Sequence, residues 1–178
     1  MGLLAAVATA SSGLQTAEEV VEIIDGVLIG ALTVTGVEGL DTCIKDFTPL
    51  ATTMNAAVTD FEHPTFHNIS DGIYNLGQFI SQISTIMNDC AAVSDEDVAK
   101  LTAMGDAFLH PKKLTINAAH NILINGIAID KDITAAGTDM SAGNYEKAGE
   151  QYGTIAALVL WGKDTDQAEL AEALEFLQ

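Results

Sequence analysis

Apolar side chains recur along this chain at intervals of three and four residues, the signature of helices that bury one face. A capping box, Thr16-Ala17-Glu18-Glu19, announces the first of them. Val20, Ile23, Ile24, Val27, Leu28 and Ala31 follow on one stripe, so the spacing predicts a helix over about 17–32 with Glu18, Glu22 and Asp25 outward. Gly30 and Gly36, flanking Thr33-Val34-Thr35, read as its exit. Leu40, Cys43, Phe47, Leu50, Met54, Ala57 and Phe61 then alternate steps of three and four, and so do Ile69, Ile73, Leu76, Ile80, Ile83, Met87 and Cys90. Both are seams of the kind that pack helix on helix. Thr48-Pro49 predicts a kink or restart inside the first seam, because proline suits a first helical turn and not an interior. Glu62-His63-Pro64-Thr65 predicts a tight reversal that sets the two seams antiparallel.

Further along, Ser94-Asp95-Glu96-Asp97 opens a fourth helix carrying Val98, Leu101 and Phe108, and Pro111 opens a fifth. Ile122, Leu123, Ile124, Ile127, Ala128 and Ile129 are apolar around most of a turn, which marks the fifth helix as enclosed. After Gly143 a sixth stripe runs through Tyr145, Gly149, Tyr152, Ala156 and Val159 to Trp161, and Asp164 or Thr165 caps a last helix through Leu170, Leu174 and Leu177. No segment shows turn-bounded period-2 alternation. The expected fold is all-α: an antiparallel bundle of about six or seven helices around one enclosed central helix. Residues 1–15 form an apolar N-terminal segment, 16–162 the bundle, and 163–178 a C-terminal helix.

Composition narrows what such a bundle does. The 178 residues carry 25 acids against seven basic residues, every one a lysine, for a net charge of -18. Without arginine the chain lacks the planar bidentate donor that most phosphate and nucleic-acid sites use. The charge disfavours nucleic acid and anionic membrane surfaces and favours a cationic partner or divalent ions. Spread over a folded surface the charges stand roughly 20 Å apart, beyond the Debye length of about 8 Å at physiological salt, so acidity leaves self-association open. No apolar run reaches the length of a membrane span. The run ending at Ala8-Thr9-Ala10 has the small-x-small character of a signal cleavage site but no preceding lysine, and reads as part of the mature chain or as a remnant.

Chemistry-bearing residues are few. Cys43 and Cys90 fall near the open end of the predicted hairpin, each on a buried seam, where a disulfide closing the interval would contribute roughly 4 kcal/mol and imply an oxidising compartment. Two ordinary buried thiols are the alternative. Asn117, Asn121 and Asn125 recur every four residues beside His120, a row that either bonds helices together or lines a polar pocket. Gly149 and Gly153 have the small-x-x-x-small spacing that lets a second backbone come close. Asn68-Ile69-Ser70 is a glycosylation sequon. His63 and His67 lack a completing ligand set and read as solvated turn residues, while Asp130-Lys131-Asp132 and Asp164-Thr165-Asp166 imitate calcium loops but read as helix caps. No nucleophile elbow, phosphate loop, dinucleotide fingerprint or zinc-protease motif is present, so neither a cofactor nor a catalytic residue is assigned.

The stretch His120-Asn121-Ile122-Leu123-Ile124-Asn125-Gly126-Ile127-Ala128-Ile129-Asp130-Lys131-Asp132-Ile133, with Gly143-Asn144-Tyr145 through Gly153 and the two cysteines, resembles a family of small, acidic, two-cysteine helical proteins secreted by protists. The likeness spans about residues 20–162. It implies an extracytosolic, all-helical, disulfide-linked protein and carries no activity. The expected function is therefore a non-enzymatic extracellular subunit that forms a homo-oligomer or polymer through apolar ends, Leu3, Leu4, Leu174, Phe176 and Leu177. The alternative is a secreted helical module that carries an apolar ligand or modulates another protein.

Overall fold

Thr16 opens the first helix as its capping box requires: its Oγ1 accepts the Glu19 N–H at 3.2 Å, and Glu19 Oε2 accepts the Thr16 N–H at 3.1 Å. The computed structural model describes residues 13–33, 39–63, 65–89, 94–109 and 111–162. They hold seven helices and no strand: α1 (Ala17–Leu32), α2 (Leu40–Cys43), α3 (Thr48–Glu62), α4 (Phe66–Asn88), α5 (Asp95–Leu109), α6 (Pro111–Ala142) and α7 (Tyr145–Trp161). The protein is all-α.

The restart at Thr48-Pro49 separates α2 from α3. Pro49 sits in the first turn of α3, and Asp46 Oδ1 accepts the Thr48 N–H at 3.0 Å. Beyond the reversal Thr65 caps α4, accepting the Asn68 N–H. α3 and α4 run antiparallel, tied by Asn75 Nδ2 donating to Asp60 Oδ2 at 2.8 Å and by the Phe61 ring lying over Gly72. On the next face of α4, Gly77 receives Phe108, and Ser81 meets Gly105, which makes α5 antiparallel as well. α3, α4 and α5 thus form one layer with α4 in the middle.

α7 is the middle of the second layer, packed along its length on both α1 and α6. Its contact with α1 is made by backbone. A Cβ on Gly26 would fall on the Glu146 carbonyl oxygen, one on Gly30 on that of Glu150, and one on Gly149 on that of Ile23; on Gly153 it would lie 2.5 Å from the Val27 oxygen. Gly26 thus meets Glu146 to Glu150, and Gly30, four residues on, meets Glu150 to Thr154. This constant offset means that α1 and α7 run parallel, against the expectation of a wholly antiparallel bundle. The exit falls at Thr33 as expected, with α1 ending at Leu32 and Thr33 as its left-handed cap, and Gly30 lies in the last turns of the helix. Four glycines inside helices forgo about 3–4 kcal/mol of intrinsic propensity. Direct contact between two helix backbones, packed closer than the usual 8–10 Å axis separation, is what they allow.

The expectation of an enclosed fifth helix is overturned. α6 buries a narrow edge, Ile129, Ile133, Ala136 and Met140, but Ile127 is 90% exposed and Ala128 is exposed beside it. The surrounded helix is α7, where Ala148, Tyr152, Ile155, Ala156, Ala157, Leu158 and Val159 are all buried. Small side chains let α7 pack closely on both α1 and α6, and the described apolar residues that α6 buries lie on the edge turned towards α7.

A single apolar cluster joins the two layers. At its heart the rings of Phe61 on α3 and Tyr152 on α7 stack with centroids 5.8 Å apart and planes 17° from parallel, a geometry that adds roughly 0.5–1.5 kcal/mol to area burial. Asn55 on α3 secures the entry to α1, accepting the Leu14 N–H at 2.7 Å and donating to the Leu14 carbonyl at 3.1 Å.

Glycine-to-alanine substitution separates the seam from ordinary helix positions. Gly30→Ala drives a methyl into the α7 backbone and should cost about 1–3 kcal/mol in urea unfolding. Gly137→Ala, in α6 with open space where its Cβ would be, should stabilise by about 0.5–1 kcal/mol. Equal effects at the two sites would contradict the backbone contact.

Candidate functional site

α7 stops at Gly162, whose positive φ of 79° turns the chain out of the helix. The last carbonyls of a helix find no donor inside it and need one from outside. α6 supplies them: Asn121 Nδ2 donates to the Val159 carbonyl at 2.9 Å, and Asn125 Nδ2 donates to that of Gly162 at 2.9 Å and to that of Asn121 at 3.1 Å. Two members of the asparagine row therefore staple the end of α7 to α6. The side chains of Asn117 and His120 lie outside the described residues. At the other end of the same pair, Asp139 accepts from Gln151 Nε2 at 3.0 Å, and its carbonyl accepts the Asn144 N–H at 2.8 Å across the turn.

The remaining sequence candidates do not converge. Cys43 closes α2 with its Sγ 3.2 Å from the Gly39 carbonyl oxygen, and Cys90 lies outside the described residues. Asn68 sits in the first turn of α4, half-buried, and its Nδ2 donates to the His63 carbonyl at 2.7 Å. His67 is exposed and pairs with Asp71 at 3.3 Å, one turn along α4. Asp130-Lys131-Asp132 is neither a calcium loop nor a cap: it lies inside α6, where Thr134 Oγ1 donates back to the Asp130 carbonyl at 2.9 Å. The similar Asp164-Thr165-Asp166 stretch, and the apolar residues Leu3, Leu4, Leu174, Phe176 and Leu177, fall outside the described residues. Among those described, no group of three His, Cys, Asp or Glu side chains is placed to hold a metal ion.

Three features escaped the sequence reading. Gly26 and Gly30 are the counterparts of Gly149 and Gly153, and their own small-x-x-x-small spacing was the available signal. Lys100, on α5, is buried with its ammonium 2.9 Å from Glu96 one turn earlier, a pairing implied by the i, i+4 spacing. A row of acids also lines the parallel pair: Glu18, Glu19, Glu22 and Asp25 on α1 and Glu146 on α7. Burial first, and then Glu18, Glu146 and Glu19, push the Glu22 carboxyl above its ordinary value. Burial, Glu146 and Glu22 do the same to Asp25. Tyr145, which donates to Glu19 Oε1 at 3.5 Å, is raised by burial and by Glu19 and Glu22. Tyr152 is raised far more, by burial and then by Glu62. Asp46 is lowered by the Thr48 hydrogen bonds it accepts.

These arrangements define an all-helical protein whose described polar side chains mainly cap and join helices. The chain belongs to the SctB-like family, described as secreted protein B-like, whose model matches residues 5–161. It is a secreted or extracellular protein. No curated protein and no solved structure matches it. The family description speaks of secretion alone and is silent on protists, acidity and cysteine content. Among the described residues no helix is long and apolar enough to cross a membrane.

Replacing Asn125 by Leu strands the Gly162 carbonyl and removes one staple. A loss of about 1–3 kcal/mol in thermal or urea unfolding is expected, with faster amide exchange concentrated in the last turn of α7.

Proposed function

We propose that this protein is a non-enzymatic structural subunit of an extracellular assembly and associates with copies of itself. The observation that carries the reading is Ile127, 90% exposed next to exposed Ala128 on a helix whose outer face is otherwise polar beyond Asp130. A second copy that covered Ile127 and Ala128 would bury apolar area now in water. The tightly closed α1–α7 seam and the stapled α7 terminus support a rigid unit. The non-enzymatic part draws support from how the described polar groups are used: Glu19 and Asp46 serve helix starts, Asp60 and Asp139 join helices, and Asn121 and Asn125 close one.

The terminal segments 1–15 and 163–178, with Leu3, Leu4, Leu174, Phe176 and Leu177, are the further contacts assigned to assembly. With net charge -18, cationic partners or divalent ions are its natural company. The reading also includes a Cys43–Cys90 disulfide, which suits an oxidising exterior. Its support is that Cys43 carries no free thiol and that Cys90 is the one other cysteine of the chain.

Light scattering over a concentration series should show mass growing with concentration, and Ile127→Glu should move that growth to higher concentration. A single-chain mass throughout, in wild type and variant alike, would overturn the assembly. Intact mass after alkylation without reductant should show no added label at either cysteine. Labelling of both would remove the disulfide from the reading.

A further inference from the structure

Parallel packing of α1 and α7 sets the first turn of α7, which carries Glu146, against the second and third turns of α1, which carry Glu22 and Asp25. Gly26 touches the Glu146 carbonyl by backbone and directly follows Asp25, so these side chains cannot part while the glycine contact lasts. Glu22 and Asp25 are half-buried against this contact. The charged groups acting on Glu22 are Glu18, Glu146 and Glu19, those acting on Asp25 are Glu146 and Glu22, and the Tyr145 hydroxyl faces Glu19 and Glu22 from α7. Among the described residues no cation offsets them there. Lys147, next to Glu146, is exposed, as is Asp41 on α2, which also packs on α1, and the chain has no arginine.

We infer that the α1–α7 seam is a proton-operated clasp: the negative charge of Glu22 and Asp25 beside Glu146 loosens it as pH rises, and protonation of Glu22 and Asp25 as pH falls closes it. The direction follows from linkage. The Glu22 and Asp25 carboxyls stand above their ordinary values of 4.5 and 3.8, so as pH falls the folded chain takes up protons before the unfolded chain does. Folding is thereby favoured as pH falls towards those ordinary values, where the gain is complete, and disfavoured as pH rises through the elevated ones. Asp46, held low and exposed, acts in the opposite sense only at still lower pH. Salt weakens the repulsion, so the effect is largest in dilute buffer. The clasp is a property of one chain and does not depend on self-association.

Hydrogen exchange of the full chain, corrected for intrinsic rates, tests it at low ionic strength between about pH 5 and pH 8, the range just above ordinary carboxylate values. Protection of α1 should fall as pH rises while that of α4 holds, and the thermal midpoint should be about 2–4 °C higher at the acidic end. The Glu22→Gln, Asp25→Asn double variant should flatten both trends, and Glu146→Gln, on the exposed side of the seam, should halve them. A double variant that keeps the wild-type slope overturns the clasp, as does a pH response equal in α1 and α4. If the double variant does not fold, an unaltered slope in Glu146→Gln overturns it instead.

Discussion

Two helix backbones can touch only where at least one residue at the contact lacks a side chain, and this chain meets that condition at four positions, Gly26, Gly30, Gly149 and Gly153. The contact fixes α1 and α7 in register and in the same direction. α7 becomes the helix with neighbours on every side, and α6 is left to cover its remaining flank with a narrow apolar edge. The other layer keeps the same device in a milder form. There an aromatic ring lies over each of Gly72 and Gly77, so that one backbone, not two, forms the floor of each contact. The Phe61–Tyr152 stack then locks the milder layer to the tighter one.

Polar groups in this bundle are concentrated at helix ends. Thr16 with Glu19, Asp46, Thr65 and Ser94 serve helix starts, while Asn121 and Asn125 serve the end of α7 from a neighbouring helix. That economy fits a secreted protein that closes its helix ends from within the bundle. It also explains why a charge as large as -18 does not open the fold. Most acids sit on outward faces, and the crowded ones are confined to one end of a single seam.

Much of this was legible in the residues because its causes are local. The capping box at Thr16 placed α1 at its observed bounds, and Pro49 marked the restart that divides α2 from α3. The stepped seams at Leu50 to Phe61 and Ile73 to Met87 are the buried faces of α3 and α4. What stayed hidden depends on partners far away in the chain. The packing role of Gly30 was not visible because the residue that needs its missing side chain is Glu150. α6 resembled an enclosed helix because Ile127 is as apolar as Ile129, and only the position of α7 distinguishes them. Periodicity also carries no sign for direction, so the parallel pairing of α1 and α7 could not be read from either stripe.

Direction has a price in time. Tyr145 reaches back to Glu19, 126 positions earlier, and the glycine contacts span similar intervals, so the tightest neighbour of α1 is made only after the five other described helices between them. In a secreted protein that delay leaves the glycine faces of α1 uncovered while α2 to α6 are being made, and the seam closes as a late event of folding.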